Sequence, residues 1–194
     1  IGTLTYIDPN TKIFGALGHE IDEKTTAEKF EIKDGKIFKS NVTGIERSES
    51  GNAGEKNANY DTSTVYGKID ENTKSGIFGN YTDEIPDVAS LKVASKDEVR
   101  TGEATIKTVI DGDKVEEFTI NIIKIDKNSE TKNILFEITD EKLLKKTGGV
   151  VQGMSGSPII QNQMIIGAVT HVIVNDATKG YGIFITTMLE EGEN

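Results

Sequence analysis

The sequence predicts an all-β fold of the barrel type. Short β-branched or aromatic runs follow one another, broken by Gly, Asn and Asp. Twenty glycines and three prolines in 194 residues give a turn-rich composition. One segment alone carries the start and stop signals of a helix of any length.

Taken in order, Thr3 to Ile7 and Ile13 to Leu17 flank Asp8-Pro9-Asn10 and read as a hairpin. Phe30 to Ile32 and Lys36 to Phe38 flank Asp34-Gly35, a two-residue hairpin signal. Ser48 to Asn59, rich in Ser, Asn, Gly and Glu, reads as a surface loop with mobility of its own. Strands are expected at Thr64 to Ile69, Gly76 to Phe78 and Val88 to Val93. Gly102 to Ile110 and Val115 to Ile125, joined at Asp111-Gly112-Asp113, make the longest hairpin, and Ile134 to Ile138 adds a strand. The helix is Thr139 to Lys146, with Thr139 as its capping hydroxyl, acids in its first turn, lysines in its last and Gly148 as its stop. Ser157 to Ile160, Met164 to Val174 and Gly182 to Thr186 complete the strands, and Thr187 to Glu190 allows a short helical tail. About a dozen strands suit a barrel.

Composition removes several function classes. The chain has 22 basic and 32 acidic residues, a formal net charge of −10, which disfavours nucleic-acid and anionic-membrane binding because both need a basic footprint. The absence of cysteine excludes a disulfide framework, a Cys nucleophile and a zinc-thiolate site. No run of about 18 apolar residues occurs, so no transmembrane helix is expected. The two histidines, His19 and His171, lack the spacing of a zinc site, and Asp111-Gly112-Asp113 lacks the rest of a calcium loop. No cofactor or metal is expected.

The chemistry concentrates in Gly149 to Ile160, GVVQGMSGSPII. A serine attacks a carbonyl when a tight turn presents its hydroxyl and neighbouring backbone N–H groups hold the oxyanion that forms. Gly153 and Gly156 flank Ser155 in this way, and the backbone N–H groups of Gly153 and Ser155 are the expected oxyanion donors. Pro158 and the β-branched run after it oppose the strand-to-helix elbow of α/β-hydrolases. Ser157, just before Pro158, reads as an inward structural hydroxyl rather than a second nucleophile.

Gly-x-Ser-Gly-x-Pro followed by an apolar hairpin through Gly167 resembles the nucleophile segment of chymotrypsin-like serine peptidases. With Gly2 to Tyr6, Gly15-Ala16-Leu17-Gly18-His19, Thr147 to His171, Val174-Asn175-Asp176 and Gly180-Tyr181-Gly182, the chain resembles the SpoIVB peptidase family of spore-forming bacteria. The resemblance spans both ends and is loose between Lys24 and Asn128. It implies a chymotrypsin-like double β-barrel, one peptidase domain of two lobes at about 1–95 and 96–194. Family members carry a membrane anchor and a PDZ domain ahead of the peptidase, and neither is in this sequence.

The resemblance also implies the site. Ser155 needs an imidazole to take its proton and return it to the leaving amine, and the family motif places that base at His19. Asp140 is the orienting acid that the resemblance implies. It is also explained as a first-turn acid of the helix, and Asp61, Asp70, Asp83 and Asp87 compete for the role. Thr170 and His171 would line the substrate cleft and pair with a peptide backbone, His171 as a wall or structural residue rather than the base. The implied function is a serine endopeptidase secreted from the forespore into the space between its two surrounding membranes. There it would cleave a membrane-bound inhibitor of sigma-factor precursor processing, and cleave itself. The alternatives are a catalytically silent peptidase-like module that holds a peptide, and a structural β-barrel in which the serine loop is a plain turn.

Overall fold

The computed structural model describes residues 2–17 and 35–193. The first half is built on a five-stranded antiparallel sheet. Strands β1 (Thr3–Ile7) and β2 (Ile13–Leu17) form the expected hairpin, and the Asp8 carboxylate accepts the Asn10 N–H at 2.7 Å to fix its turn. β3 is Gly35–Ile37, β6 Gly67–Thr73 and β7 Gly76–Tyr81, in the spatial order β1-β2-β7-β6-β3. β3 pairs with β6; its expected partner, Phe30 to Ile32, lies outside the described residues.

Two expectations change here. Ser48 to Asn59 is not a plain loop. β4 (Ser40–Glu46) and β5 (Glu55–Tyr60) form a second antiparallel hairpin, and Ser48 is buried, its hydroxyl donating to the Val150 carbonyl at 2.7 Å and accepting from Gly54 N–H at 2.8 Å. The strand at Val88 to Val93 shrinks to β8, Lys92–Val93, which pairs in parallel with Met164 and Ile165.

The second half is a closed barrel. β9 (Gly102–Val109) and β10 (Val115–Ile125) pair in unbroken register from Val109↔Val115 to Gly102↔Ile122. β11 (Ile134–Ile138), β14 (Lys179–Phe184), β13 (Met164–Val172) and β12 (Pro158–Gln161) continue the sheet, and β12 returns to β9 through Ile159↔Ile106. Period-2 alternation fills the interior: Ala104, Ile106 and Thr108 from β9, with Ile110 just past its end, meet Phe118, Ile120 and Ile122 from β10, all buried. Thr108 is the polar member of that inward row.

Between β11 and β12 runs the helix α1, Glu141–Thr147. Its N-cap is Asp140 rather than Thr139, because the Asp140 carboxylate accepts the Leu143 N–H at 3.1 Å; Gly148 closes it at φ 72°. β14 begins at Lys179, earlier than expected, and α2 (Ile185–Gly192) follows it directly. α2 buries Met188 against Phe78 of the first sheet and Ala168 and Ile183 of the barrel, so the two halves share a small apolar core. Among the described residues no helix is long and apolar enough to cross a membrane. The structure is mostly β, as the sequence predicts, with a closed six-stranded barrel and further sheets beside it.

Candidate active site

The segment from Gly149 to Ser157 is an irregular loop between α1 and β12, and its shape follows from where its backbone groups are spent. Val150 N–H donates to Ala177 O, Gln152 N–H to Gly54 O at 2.8 Å, and Gly156 N–H to Val169 O at 2.7 Å. The carbonyls are held from the first half of the chain. Thr3 Oγ1 donates to Gly153 O at 2.9 Å, Thr3 N–H to Ser155 O at 3.0 Å, and Thr5 Oγ1 to Gly156 O at 2.7 Å. Lys56 N–H donates to Gln152 O at 2.9 Å. Gly153 and Gly156 sit at φ 100° and 92°, where a side chain would be strained, and a Cβ on Gly156 would lie 2.2 Å from Thr3 O.

The Lys56 bond fixes the direction of the Gly153 amide. The peptide between Gln152 and Gly153 is trans and its carbonyl points at β5, so the Gly153 N–H points away from β5. Among the described residues neither Gly153 N–H nor Ser155 N–H donates to a protein acceptor, which is what an oxyanion site requires.

Ser155 is half-buried on a groove of about 310 Å³ between the two halves. Leu17, Asn72 and Thr73 form one side; Gln152, Ser155, Thr170 and His171 form the other. Thr170 is placed by a bulge: β13 pairs Val169 with Gly182 and then His171 with Tyr181, which leaves Thr170 as the extra residue. Its carbonyl accepts the Ser155 hydroxyl at 3.1 Å, while its own hydroxyl reaches Tyr181 O at 3.1 Å. His171 is exposed on the same strand.

The structure thus gathers Ser155, Thr170 and His171 around one groove, with Gly153 buried in the loop that carries Ser155. His19 lies outside the described residues, two positions beyond the groove residue Leu17. Asp140 is at the start of α1, where its second carboxylate oxygen accepts the Thr119 N–H at 3.4 Å, and it does not line the groove. Ser157 is fully buried, as expected of an inward hydroxyl, and donates to Thr108 Oγ1 at 3.1 Å. Among the described residues no cluster of His, Cys, Asp and Glu could hold a metal ion.

Sequence reasoning missed the supports of this loop. Thr3 and Thr5 gave a faint signal, as hydroxyls at alternate positions of a strand that otherwise carries apolar side chains. Lys56 gave none, because nothing in a polar stretch marks one lysine as the buried one.

A model of the SpoIVB peptidase S55 family matches residues 1–189. The chain belongs to that family. It is accordingly a serine peptidase, and its substrate is a protein. Among solved structures, Rv3671c from M. tuberculosis H37Rv, an inactive serine-to-alanine mutant, is similar with a TM-score of 0.46 and 12% identity, over 100% of this chain and 97% of that one. No curated protein matches the chain.

Proposed function

We propose that this SpoIVB peptidase cuts peptide bonds with Ser155 as nucleophile and His19 as general base, in a groove between two lobes at about 1–95 and 96–194. The observation that carries the reading is the nucleophile loop. The Gly153 and Ser155 N–H groups donate to no acceptor among the described residues, and Ser155 lies on a groove of about 310 Å³.

The chemistry follows from the geometry. Ser155 Oγ gives up Thr170 O, passes its proton to His19 and attacks the scissile carbonyl. The N–H groups of Gly153 and Ser155 receive the oxyanion. Collapse expels the amine, which takes the proton from His19, and water then hydrolyses the acyl-enzyme by the same steps in reverse order of partners. Two residues of chain span about 7 Å at most, so Leu17 on the groove wall supports His19 as the base. Thr170 and His171, on the bulged end of β13, offer backbone to a substrate strand. Asp140 is the acid that the family resemblance assigns to orient His19, in competition with its two bonds to backbone N–H groups.

Family membership further supports a place in sporulation. There the enzyme acts in the space between the membranes around the forespore, on a membrane-bound inhibitor of sigma-factor precursor processing and on itself.

A fluorophosphonate probe tests the chemistry. Ser155→Ala is expected to abolish labelling, and His19→Ala to lower its rate by a factor on the order of 10³. Asp140→Asn keeps a capping residue type, so it is expected to change stability by less than about 1 kcal/mol and to leave labelling of the folded protein within a few-fold. A loss on the order of 10⁴ in that variant would instate Asp140 as the orienting acid. An intact chain that binds peptide but never labels would be a silent module.

A further inference from the structure

One buried charge has no part in the chemistry above. Lys56 on β5 is 3% exposed, and among the described residues it makes no ion pair. Its Nζ donates to Thr108 Oγ1 at 2.7 Å inside the barrel, and Thr108 Oγ1 also receives the Ser157 hydroxyl, two residues past the nucleophile. Its stem runs beneath the oxyanion loop: a Cβ on Gly153 would stand 3.1 Å from Lys56 Cβ and Cδ. Its backbone N–H holds Gln152 O, the bond that turns the Gly153 N–H away from β5.

An isolated ammonium is costly in an apolar interior, and a methionine would fill the same space without that cost. What the charge adds is a fixed cation behind a loop that must bind a transient anion. Water is excluded there, and charges act over longer range.

We propose that Lys56 is a positioning residue of this peptidase. Through the Thr108–Ser157 hydroxyl pair and the Gln152 carbonyl it holds the nucleophile loop with the Gly153 N–H turned away from β5, and its charge favours the oxyanion. The inference rests on Ser155 being the nucleophile.

Burial lowers the Lys56 pKa to about 8, so the charge is lost in mildly alkaline solution. Glu46 and Glu55 on the β4–β5 hairpin are exposed, Lys107 flanks Thr108 on the other face of β9, and Glu116 on β10 is engaged by Lys114 and Lys142. Arg47, just past β4, reaches carbonyls at the end of α1, and the loop from Gly149 to Ser157 contains no charged residue. In the groove, His171 is the remaining titratable residue of the loop's β13 neighbour.

The test is the second-order rate of fluorophosphonate labelling of the full chain from pH 6 to 10, for the intact protein, Lys56→Met and Thr108→Val. The intact protein is expected to lose rate with a midpoint near 8. Lys56→Met is expected to label on the order of 10-fold to 100-fold more slowly at pH 7 and to lack that alkaline limb. Thr108→Val, which keeps the shape and removes the acceptor, is expected to fall in the same direction and keeps the test open if the methionine variant does not fold. Amide NMR of Gly153 and Ser155 in the intact chain gives a readout that needs no reactivity: both signals should step near pH 8. Labelling within two-fold of the intact chain at every pH overturns the proposal. So does a slower rate with an unchanged alkaline limb, which is what a packing defect gives, and so does the absence of an amide step. An intact chain that does not label at all refutes the nucleophile assignment, and the amide titration still decides the role of Lys56.

Discussion

Lys56 holds its charge where charge is expensive, and the sign of that cost can be worked out. The folded pKa, about 8, is below the ordinary lysine value of 10.5. Between those values the unfolded chain binds more protons than the folded one, so the contribution of this group to stability rises with pH across the window. Below pH 8 the full penalty is present, on the order of 3 kcal/mol; above 10.5 it is gone. Lys56→Met is therefore expected to be more stable than the intact chain at pH 7, and the advantage should shrink as pH climbs from 8 towards 10.5. Urea denaturation of both proteins at several pH values measures this. A methionine variant less stable at pH 7 would show that the lysine stem and its hydroxyl partners stabilise more than the buried charge costs, and a gap that ignores pH would show that folding does not lower the Lys56 pKa. Greater stability with slower labelling is the trade expected where a strained or costly group serves a site.

At the scale of elements, the site depends on strand β1 reaching across to a loop about 150 residues later. Thr3 holds both Gly153 O and Ser155 O, and Thr5 holds Gly156 O. In trans peptides the Gly153 and Ser155 carbonyls oppose the Met154 and Gly156 N–H groups, which donate to Val151 O and Val169 O, so the turn is anchored on both sides of Ser155. Thr3→Val removes the hydroxyl and leaves the backbone bond. It is expected to cost about 1 kcal/mol of stability and to slow labelling by about five-fold to 20-fold through a looser loop; unchanged labelling would mean that the loop holds its own shape. The sequence showed the nucleophile turn, the β9–β10 hairpin and β12 to β14 because glycines and apolar alternation mark them directly. It hid β4 and β5. Of the seven residues in β4 only Val42 is buried, and β5 reads Glu-Lys-Asn-Ala-Asn-Tyr with the lysine inside. Composition there says loop, and tertiary pairing with Gly112 and Gln152 overrides it. The cap of α1 shifted by one residue for a similar reason. Thr139 and Asp140 are both capping residue types, and the choice between them came from the Thr119 and Leu143 amides.

For the whole molecule, catalysis requires that two separately built walls keep a fixed distance. Leu17, Asn72 and Thr73 belong to the first sheet, and Ser155 and Thr170 to the barrel side. What joins them away from the groove is the small core under α2, where Met188 meets Phe78, Ala168 and Ile183, with Tyr6 and Leu17 packed on it. Burial and the nearby Glu193 raise the pKa of Tyr6, which keeps its hydroxyl neutral beside this core. Met188 is fully buried, so truncation to alanine leaves a cavity that costs on the order of 2–4 kcal/mol. Stability alone would not distinguish this cluster from the barrel interior, where Ile122→Ala should cost a similar amount. The distinction is in labelling measured well below the unfolding temperature. Met188→Ala loosens one wall against the other and is expected to slow labelling by about ten-fold, since small misplacements of reacting groups cost that much or more. Ile122→Ala sits inside one wall and is expected to label at close to the normal rate. Equal labelling by the two variants would show that the nucleophile loop and its β1 clamp hold the groove together without help from α2.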